Sequence, residues 1–261
     1  MFSKTIYKHT LKANFRLWLI FTLIISVLNA LIIAVFDPST IDSMSEMVQG
    51  TPLENLLQTT TFLGMLAQTF YSIHGVILPL VFIVMTANSL IASQVDRGSM
   101  AYLLSTPTKR NTVVFTQAIY LISALIVMFT ILTGVGVAAI KFFQGDMEYN
   151  LNEYVMLNVG LFLLMFATSS ISFFFSCLFN LSKNSLALGA GIPLAFFFLQ
   201  LMSTLDSSLE NLKYVTLNAL FDSTAILAGE GYVLKLLILA VVGVILYMAS
   251  VKVFKEKDLP L

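Results

Sequence analysis

Six long apolar stretches constrain the fold of this sequence more than any other feature. A helix crosses the hydrocarbon core of a membrane in about 20 mostly apolar residues. Only 11% of the residues are charged, whereas soluble domains carry about 25% charged residues. The sequence therefore predicts an all-α, polytopic integral membrane protein that forms one transmembrane domain over residues 1–261. The six predicted spans cover about residues 17–36, 71–92, 113–140, 155–179, 186–204 and 232–251.

Charges outside the spans predict how the chain is oriented. One set of segments holds 11 of the 14 Lys and Arg residues but 3 of the 14 Asp and Glu residues. This set consists of the N-terminus, residues 93–112, residues 180–185 and the C-terminus. Because short cytoplasmic loops are enriched in Lys and Arg, we predict that both termini and residues 93–112 lie in the cytoplasm.

The sequence lacks the side chains that several function classes need. Its net charge is zero, so no nucleic-acid partner is predicted. His9 and His74 are the only histidines, and no His-Glu-x-x-His or Gly-x-Ser-x-Gly motif is present. We therefore predict no catalytic, cofactor-binding or metal site. No charged residue lies in the middle of a span, which argues against ion coupling. Backbone carbonyls can still bind sodium at broken helices, so an ion-gradient-driven secondary transporter is the alternative function.

Residues 1–16 have the pattern of a basic amphipathic helix. Cations recur at every fourth position beside an apolar row, which is typical of a helix lying along the anionic inner leaflet. The alternative is a plain basic flank that orients the first span. The cations assigned to the membrane interface are Lys4, Lys8, Lys12 and Arg16. The apolar row consists of Tyr7, Leu11, Phe15 and Trp18.

Two longer segments are predicted on the outer side of the membrane. Residues 37–70 contain a Gly-Thr-Pro turn at 50–52, followed by apolar residues at helical spacing. This pattern predicts an interfacial helix or, equally, the first turns of a longer second span. Residues 205–231 are too polar to cross the membrane and predict a re-entrant or interfacial helical pair.

Small hydroxyl residues cluster in the fourth predicted span. Such residues let helices approach closely and form hydrogen bonds between them. Close packing is one interpretation of the cluster, and a weakly polar translocation path is the other. The cluster consists of Thr168, Ser169, Ser170, Ser172 and Ser176.

The cytoplasmic segment 93–112 contains residues that start and stop a short helix. Gly98 breaks the end of the second helix, and Ser99 is a favourable N-cap for a new helix. The helix stops at Thr106-Pro107, because a residue before proline avoids the α-region. We expect about two turns, or about 12 Å, with an apolar face that lipid headgroups or a groove on a cytoplasmic partner would cover. That face consists of Met100, Leu103 and Leu104.

This segment resembles the coupling helix in permease subunits of type-two ATP-binding-cassette exporters. Those permeases carry Glu-x-Glu-x-Gly-Thr-x-x-x-Leu-Leu-x-x-Pro-x-x-Arg between their second and third spans. The corresponding residues here are Gln94, Asp96, Gly98, Ser99, Leu103, Leu104, Pro107 and Arg110. The resemblance also covers the six spans, the amphipathic N-terminus and the ending Lys-Asp-Leu-Pro-Leu. It departs at Gln94, where an acid is usual. If that acid pairs with a cation on the ATPase, the contact is weaker here or is made by Asp96.

The resemblance implies a function for the whole chain. It predicts a multi-pass permease of a bacterial plasma membrane that contacts lipid and exports amphipathic peptides, drugs or lipid-like molecules. The chain has no Gly-x-x-x-x-Gly-Lys-Ser/Thr motif, so ATP and Mg would bind to a separate ATPase, present in two copies. A second permease, identical or related, would complete the path. The residues assigned to ATPase coupling are Gln94, Asp96, Arg97, Gly98, Ser99, Met100, Tyr102, Leu103, Leu104, Pro107 and Arg110.

Overall fold

The computed structural model describes residues 2–36, 61–105, 108–145, 149–205 and 207–258. Within these ranges the chain is helical and forms no β-strand. Six helical segments are long and apolar enough to cross a membrane, which confirms the predicted all-α, polytopic fold. The six spans are Lys4–Val35, Phe62–Asp96, Arg110–Phe143, Leu151–Leu178, Ser182–Leu205 and Tyr232–Glu256.

The first span is one continuous helix of 32 residues, Lys4–Val35. Its sequence contains no glycine or proline that would break the helix, and the side chain of Ser3 caps its start by accepting a hydrogen bond from the Ile6 N–H. The predicted boundary between an interfacial helix and the span, at residue 16, is therefore absent. At 1.5 Å per residue the helix is about 48 Å long, well beyond the hydrocarbon core of about 30 Å.

The first and third spans run parallel along most of their length. Near their predicted cytoplasmic ends, Thr10 Oγ1 donates to Gln117 Oε1 at 3.1 Å. Near their outer ends, Gln144 Nε2 donates to the carbonyl of Ile33 at 2.8 Å. Because the two bonds join the helices at both ends, the spans form one long two-helix unit.

The second span is irregular, with a break near its predicted cytoplasmic end. At Ile91 the backbone leaves helical geometry, with φ −130° and ψ −69°. The described residues 61–70 belong to this span, as in the second of the two predicted alternatives, whereas residues 37–60 lie outside the described ranges. The pieces of the span are the α-helix Phe62–Leu66, the π-helix Ala67–His74 and the α-helices Gly75–Leu90 and Ala92–Asp96.

The fourth span lies at the centre of the bundle and packs against the second, third, fifth and sixth spans. Ser169 Oγ and the hydroxyl of Tyr247 in the sixth span lie 2.7 Å apart. Ser172 Oγ donates to the carbonyl of Gly189 in the fifth span at 2.6 Å. The hydroxyl cluster of this span is buried, and these bonds between helices favour the packing interpretation over a polar path.

Three short helices precede the sixth span on the predicted outer side, where the sequence had predicted a helical pair. They are Ser207–Val215, Leu217–Leu220 and Ser223–Ala228. Lys235 Nζ of the sixth span donates to Asp222 Oδ2 at 2.7 Å. Burial alone would raise the pKa of the Asp222 carboxyl, but hydrogen bonds from Lys235, Thr224 and the Ala225 N–H lower this pKa to about 2. The ion pair therefore ties the outer segment to the last span.

Candidate functional site: the cytoplasmic loop helix and its supports

A short helix, Ser99–Leu104, follows the second span and is called the loop helix below. Its six residues extend about 9 Å, which confirms a short helix in this position but makes it shorter than predicted. Gly98 is the N-cap, with φ +72°, a left-handed conformation that glycine adopts without strain. Ser99 is the first helical residue instead of the predicted cap, and its Oγ donates to the carbonyl of Gln94 at 3.1 Å.

The predicted apolar face of the loop helix is largely covered by the chain itself. Met100 is 1% exposed, and Leu103 and Leu104 are half-buried against the core of the bundle. The sequence pattern correctly placed these three residues on one face, and the bundle itself covers Met100 and part of both leucines. Tyr102, in contrast, is 82% exposed, so the side of the helix available to a partner is the one that carries this ring.

The remaining exposed surface of the loop is polar. Arg97 is exposed and directly precedes the turn at Gly98, and Ser99 directly follows that turn. Tyr and Arg are the residue types most often found at the energetic centre of protein interfaces. Arg97 and Tyr102 therefore form the surface of this loop that is best suited to protein contact.

Asp96 supports the fifth span. Its Oδ2 accepts a hydrogen bond at 3.1 Å from the N–H of Ser182, the first residue of that helix. A carboxylate at a helix N-terminus satisfies a free N–H and interacts favourably with the helix dipole. Asn88 Nδ2 of the second span also donates to Ser182 Oγ at 2.7 Å. The C-terminal end of the second span is therefore tied directly to the beginning of the fifth.

Arg110 binds the C-terminal segment of the chain. Its Nη1 donates to the carbonyl of Lys257 at 2.9 Å, and Lys257 Nζ donates to the carbonyl of Cys177 at 3.0 Å. Asn180 Nδ2 reaches the carbonyl of Asp258 at 3.3 Å. Burial lowers the pKa of the Lys257 ammonium to about 8. These contacts join the third, fourth and sixth spans at their predicted cytoplasmic ends, a role that the sequence did not reveal for Arg110.

A serine of the fourth span is inserted at the break of the second. Ser176 Oγ accepts from the N–H of Ala92 at 3.0 Å and donates to the carbonyl of Ala87 at 2.7 Å. A side chain inserted into the helical hydrogen-bond ladder is a known cause of kinks. Residues 92–104, called the arm below, lie beyond this break and end with the loop helix. Sequence analysis identified Ser176 only as a member of the hydroxyl cluster, because its two bonds join residues more than 80 positions apart.

A family model described as ABC-2 family transporter protein matches residues 5–259. The chain belongs to the ABC-2 transporter family. A comparison with curated proteins gives no match. Members of this family are permeases of ATP-binding-cassette transporters, and the six spans agree with a multi-pass plasma-membrane protein. The resemblance found in the sequence is thereby confirmed, and the family implies association with an ATPase subunit.

Gln94 and Pro107 are two further predicted coupling residues of this ABC-2 permease. Gln94 is half-buried, and its Nε2 lies 3.5 Å from the carbonyl of Ser89. Pro107 lies outside the described residues, as does Thr106, so the predicted stop of the helix is not described. The loop helix itself ends at Leu104.

The N-terminal cations of the permease project away from the bundle. The hydroxyls of Tyr7 and Ser123 lie 2.8 Å apart, and Trp18 Nε1 donates to the carbonyl of Ala124 at 2.9 Å. Half of the predicted apolar row thus packs on the third span, whereas Leu11 and Phe15 are exposed. The four cations Lys4, Lys8, Lys12 and Arg16 are all exposed.

Proposed function

We propose that this ABC-2 permease exports its cargo with energy from a separate ATPase, and that the arm carries the movement of the ATPase to the spans. ATP and Mg bind to the ATPase, two copies of which serve two permease subunits, identical or related. The lack of a phosphate-binding Gly-x-x-x-x-Gly-Lys-Ser/Thr motif in this chain supports a separate ATPase. The membership of the ABC-2 family supports the permease role.

The single observation that carries the coupling proposal is the construction of the arm. It begins at a helix break, ends in a short helix, and exposes Tyr102 while burying Met100. A partner that binds Tyr102 and Arg97 would act on the bundle as well as on the arm, because the loop helix packs on the bundle through its apolar face. The break at Ile91 gives the arm a place to pivot, as hinge movements use a few element-terminal residues.

The arm also offers a route from the ATPase to a second span. Asp96 lies within the arm and holds the N-terminus of the fifth span through the Ser182 N–H. A displacement of the arm therefore acts on the second and fifth spans together. Reorientation of spans in response to ATP requires that the two orientations bind the ATP-loaded partner with different affinity.

Amphipathic peptides, drugs or lipid-like molecules are the proposed cargo. The fifth span exposes large apolar side chains, among them Leu188, Phe198 and Met202. A charged residue in the middle of a span would mark an ion pathway, and the sequence has none there. An apolar wall of this kind suits a cargo with a large apolar surface better than it suits an ion.

The docking proposal is tested with the substitution Tyr102→Asp. We expect at least a tenfold loss of ATPase co-purification with the tagged permease, because loss of a central interface aromatic commonly costs 2 kcal/mol or more. The matched control is Tyr214→Asp, since Tyr214 is 75% exposed in the outer segment and should retain the ATPase. Full co-purification of the Tyr102→Asp permease would refute docking through this helix.

Substitutions on the apolar face of the loop helix are less specific tests of docking. A double Leu103→Asp and Leu104→Asp substitution places two carboxylates against the core, so it reports on packing as well as on docking.

Transport assays in proteoliposomes test the energy source of the permease. Transport that requires both the ATPase and ATP supports the proposal, and transport driven by an ion gradient without the ATPase would favour a secondary transporter.

A further inference from the structure

The second span contains a π-helix, Ala67–His74, far from the loop helix along the chain. Such helices are rare and frequently lie at functional sites, and each of their hydrogen-bonded rings encloses one residue more than a ring of the α-helix. Ser72 Oγ donates to the carbonyl of Ala67 at 3.2 Å, and His74 Nδ1 donates to the carbonyl of Thr69 at 3.1 Å. Both side chains bond to a carbonyl five residues back, so they favour the same register as the π-helix.

The chain on the outer side of the π-helix is held in place. All five residues of the helix Phe62–Leu66 are buried, and this helix packs against Ser223–Ala228 of the outer segment. Tyr71 within the π-helix is fully buried, and its ring lies 6.3 Å from the ring of Phe221. The beginning of the π-helix is therefore anchored to the outer segment.

The chain that follows the π-helix lies between two irregular places. The helix Gly75–Leu90, called the middle piece below, ends at the break at Ile91 that begins the arm. Pro79 lies in its second turn and lacks the N–H that the carbonyl of Gly75 would accept in a regular α-helix. A movement of the arm that reaches the middle piece is therefore taken up between Ala67 and Pro79, where the helical bonding is irregular and the outer end is fixed.

We propose that the π-helix is a second joint of the second span, and that its hydrogen-bond register changes by one residue when the ATPase displaces the arm. An i→i+5 bond is exchanged for an i→i+4 bond, so the backbone bonds are retained while the middle piece shifts by up to about 1.5 Å, the rise of one residue. The bonds of Ser72 and His74 hold the π register until the arm moves. This inference rests on the proposed coupling to an ATPase.

The removal of one residue tests whether the segment can adopt the α register. Deletion of Ser72, which is exposed, should produce a regular α-helix and leave both flanking pieces in their present orientation. The matched control is deletion of Met85, which is 47% exposed in the middle piece, because this deletion turns one flank by about 100° against the other. In dodecyl sulfate titrations of the purified permease, the Ser72 deletion should unfold near the unchanged midpoint, and the Met85 deletion far below it. Equal damage by the two deletions would overturn the proposal.

Hydrogen exchange in nanodiscs tests whether the joint moves with the ATPase. We expect trapping of the permease–ATPase complex with ATP and vanadate to change exchange over residues 67–75 at least about fivefold, the factor that one net hydrogen bond supplies. Residues 80–90 should not respond, because the middle piece moves as a unit. The Ser72 deletion has a single register and should abolish the response over the remaining residues of 67–75.

A substitution tests the side-chain bonds that hold the π register. Without nucleotide, Ser72→Ala should speed exchange over residues 67–75 about fivefold, the factor for one lost net bond. Thr130→Ala is the matched control, because the Thr130 hydroxyl bonds to the carbonyl of Ile126, four residues back in the third span. It should leave exchange over residues 67–75 unchanged, and an equal effect of the two substitutions would contradict the assigned role of Ser72.

Failure of this inference can be told apart from failure of the proposed function. A permease that binds no ATPase, or that shows no response to nucleotide anywhere, would refute the proposed function and the joint with it. A response over the arm, residues 92–104, without a response over residues 67–75 would retain the coupling proposal and refute the joint.

Discussion

Ser176 holds the break in the second span, and its hydroxyl can be removed with little change in volume. In Ser176→Ala both bonds are lost, and the Ala92 N–H is left without a partner in a site where Ala92 is fully buried. Hydrogen bonds between membrane helices contribute on average about 0.6 kcal/mol each. An unpaired buried donor adds to this loss. We therefore expect the free energy of unfolding to fall by about 1–2 kcal/mol.

The measurement is unfolding of the purified permease in mixed micelles by titration with dodecyl sulfate. Ser170→Ala is the matched control, since Ser170 is equally buried in the same helix but bonds only to the carbonyl of Ala167 in its own helix. That control should lose less than about 0.5 kcal/mol. Ser176→Thr retains a hydroxyl and should recover part of the loss.

A functional measurement follows from the position of the break. In proteoliposomes with the ATPase, Ser176→Ala should reduce the amount of cargo moved per ATP hydrolysed, because the arm then pivots without a fixed contact to the fourth span. Equal losses of stability in the Ser176→Ala and Ser170→Ala proteins, together with unchanged coupling, would refute the assigned role of Ser176.

Three further predictions concern other parts of the chain. Gly136→Ala should destabilise the fold by about 1–3 kcal/mol, because the added Cβ overlaps the Tyr154 hydroxyl, whereas Gly134→Ala should be neutral or stabilising in the same unfolding assay. The lowered pKa of Asp222 means that its contribution, about 1 kcal/mol after screening, is complete above about pH 5. It is lost as the pH falls from about 4 to about 2, so Asp222→Asn should differ from wild type at pH 7 and not at pH 2. Gly98→Ala should cost about 1–2 kcal/mol through its left-handed φ, seen as faster hydrogen exchange over residues 99–104.

The sequence predicted the spans well because their signal is local. Length and hydropathy define a membrane helix within its own 20 residues, and each predicted span overlaps an observed one. The boundary at residue 16 was wrong for a related reason. Charge changes sharply there, but a helix ends only where its backbone is interrupted, and the sequence from Lys4 to Val35 contains no such interruption.

The candidate site was predictable in part. Gly98 and the apolar spacing after it located the loop helix, but periodicity shows which side chains share a face and not what covers that face. The contacts of Asp96 with Ser182, and of Arg110 with Lys257, join residues 86 and 147 positions apart. No local pattern carries such pairings, so the role of both side chains as internal supports emerged only from the fold.

The parallel pair formed by the first and third spans makes this permease sensitive to the thickness of its bilayer. The third span has 34 residues and is about 51 Å long, so both members exceed the hydrocarbon core by about 20 Å. Fastened together at both ends, they can adapt to a thinner membrane only by tilting as a unit. The length of the lipid acyl chains therefore changes the tilt of this helix pair. A shift from C18 to C14 lipids should alter the turnover of the transporter even when every protein–protein contact is intact.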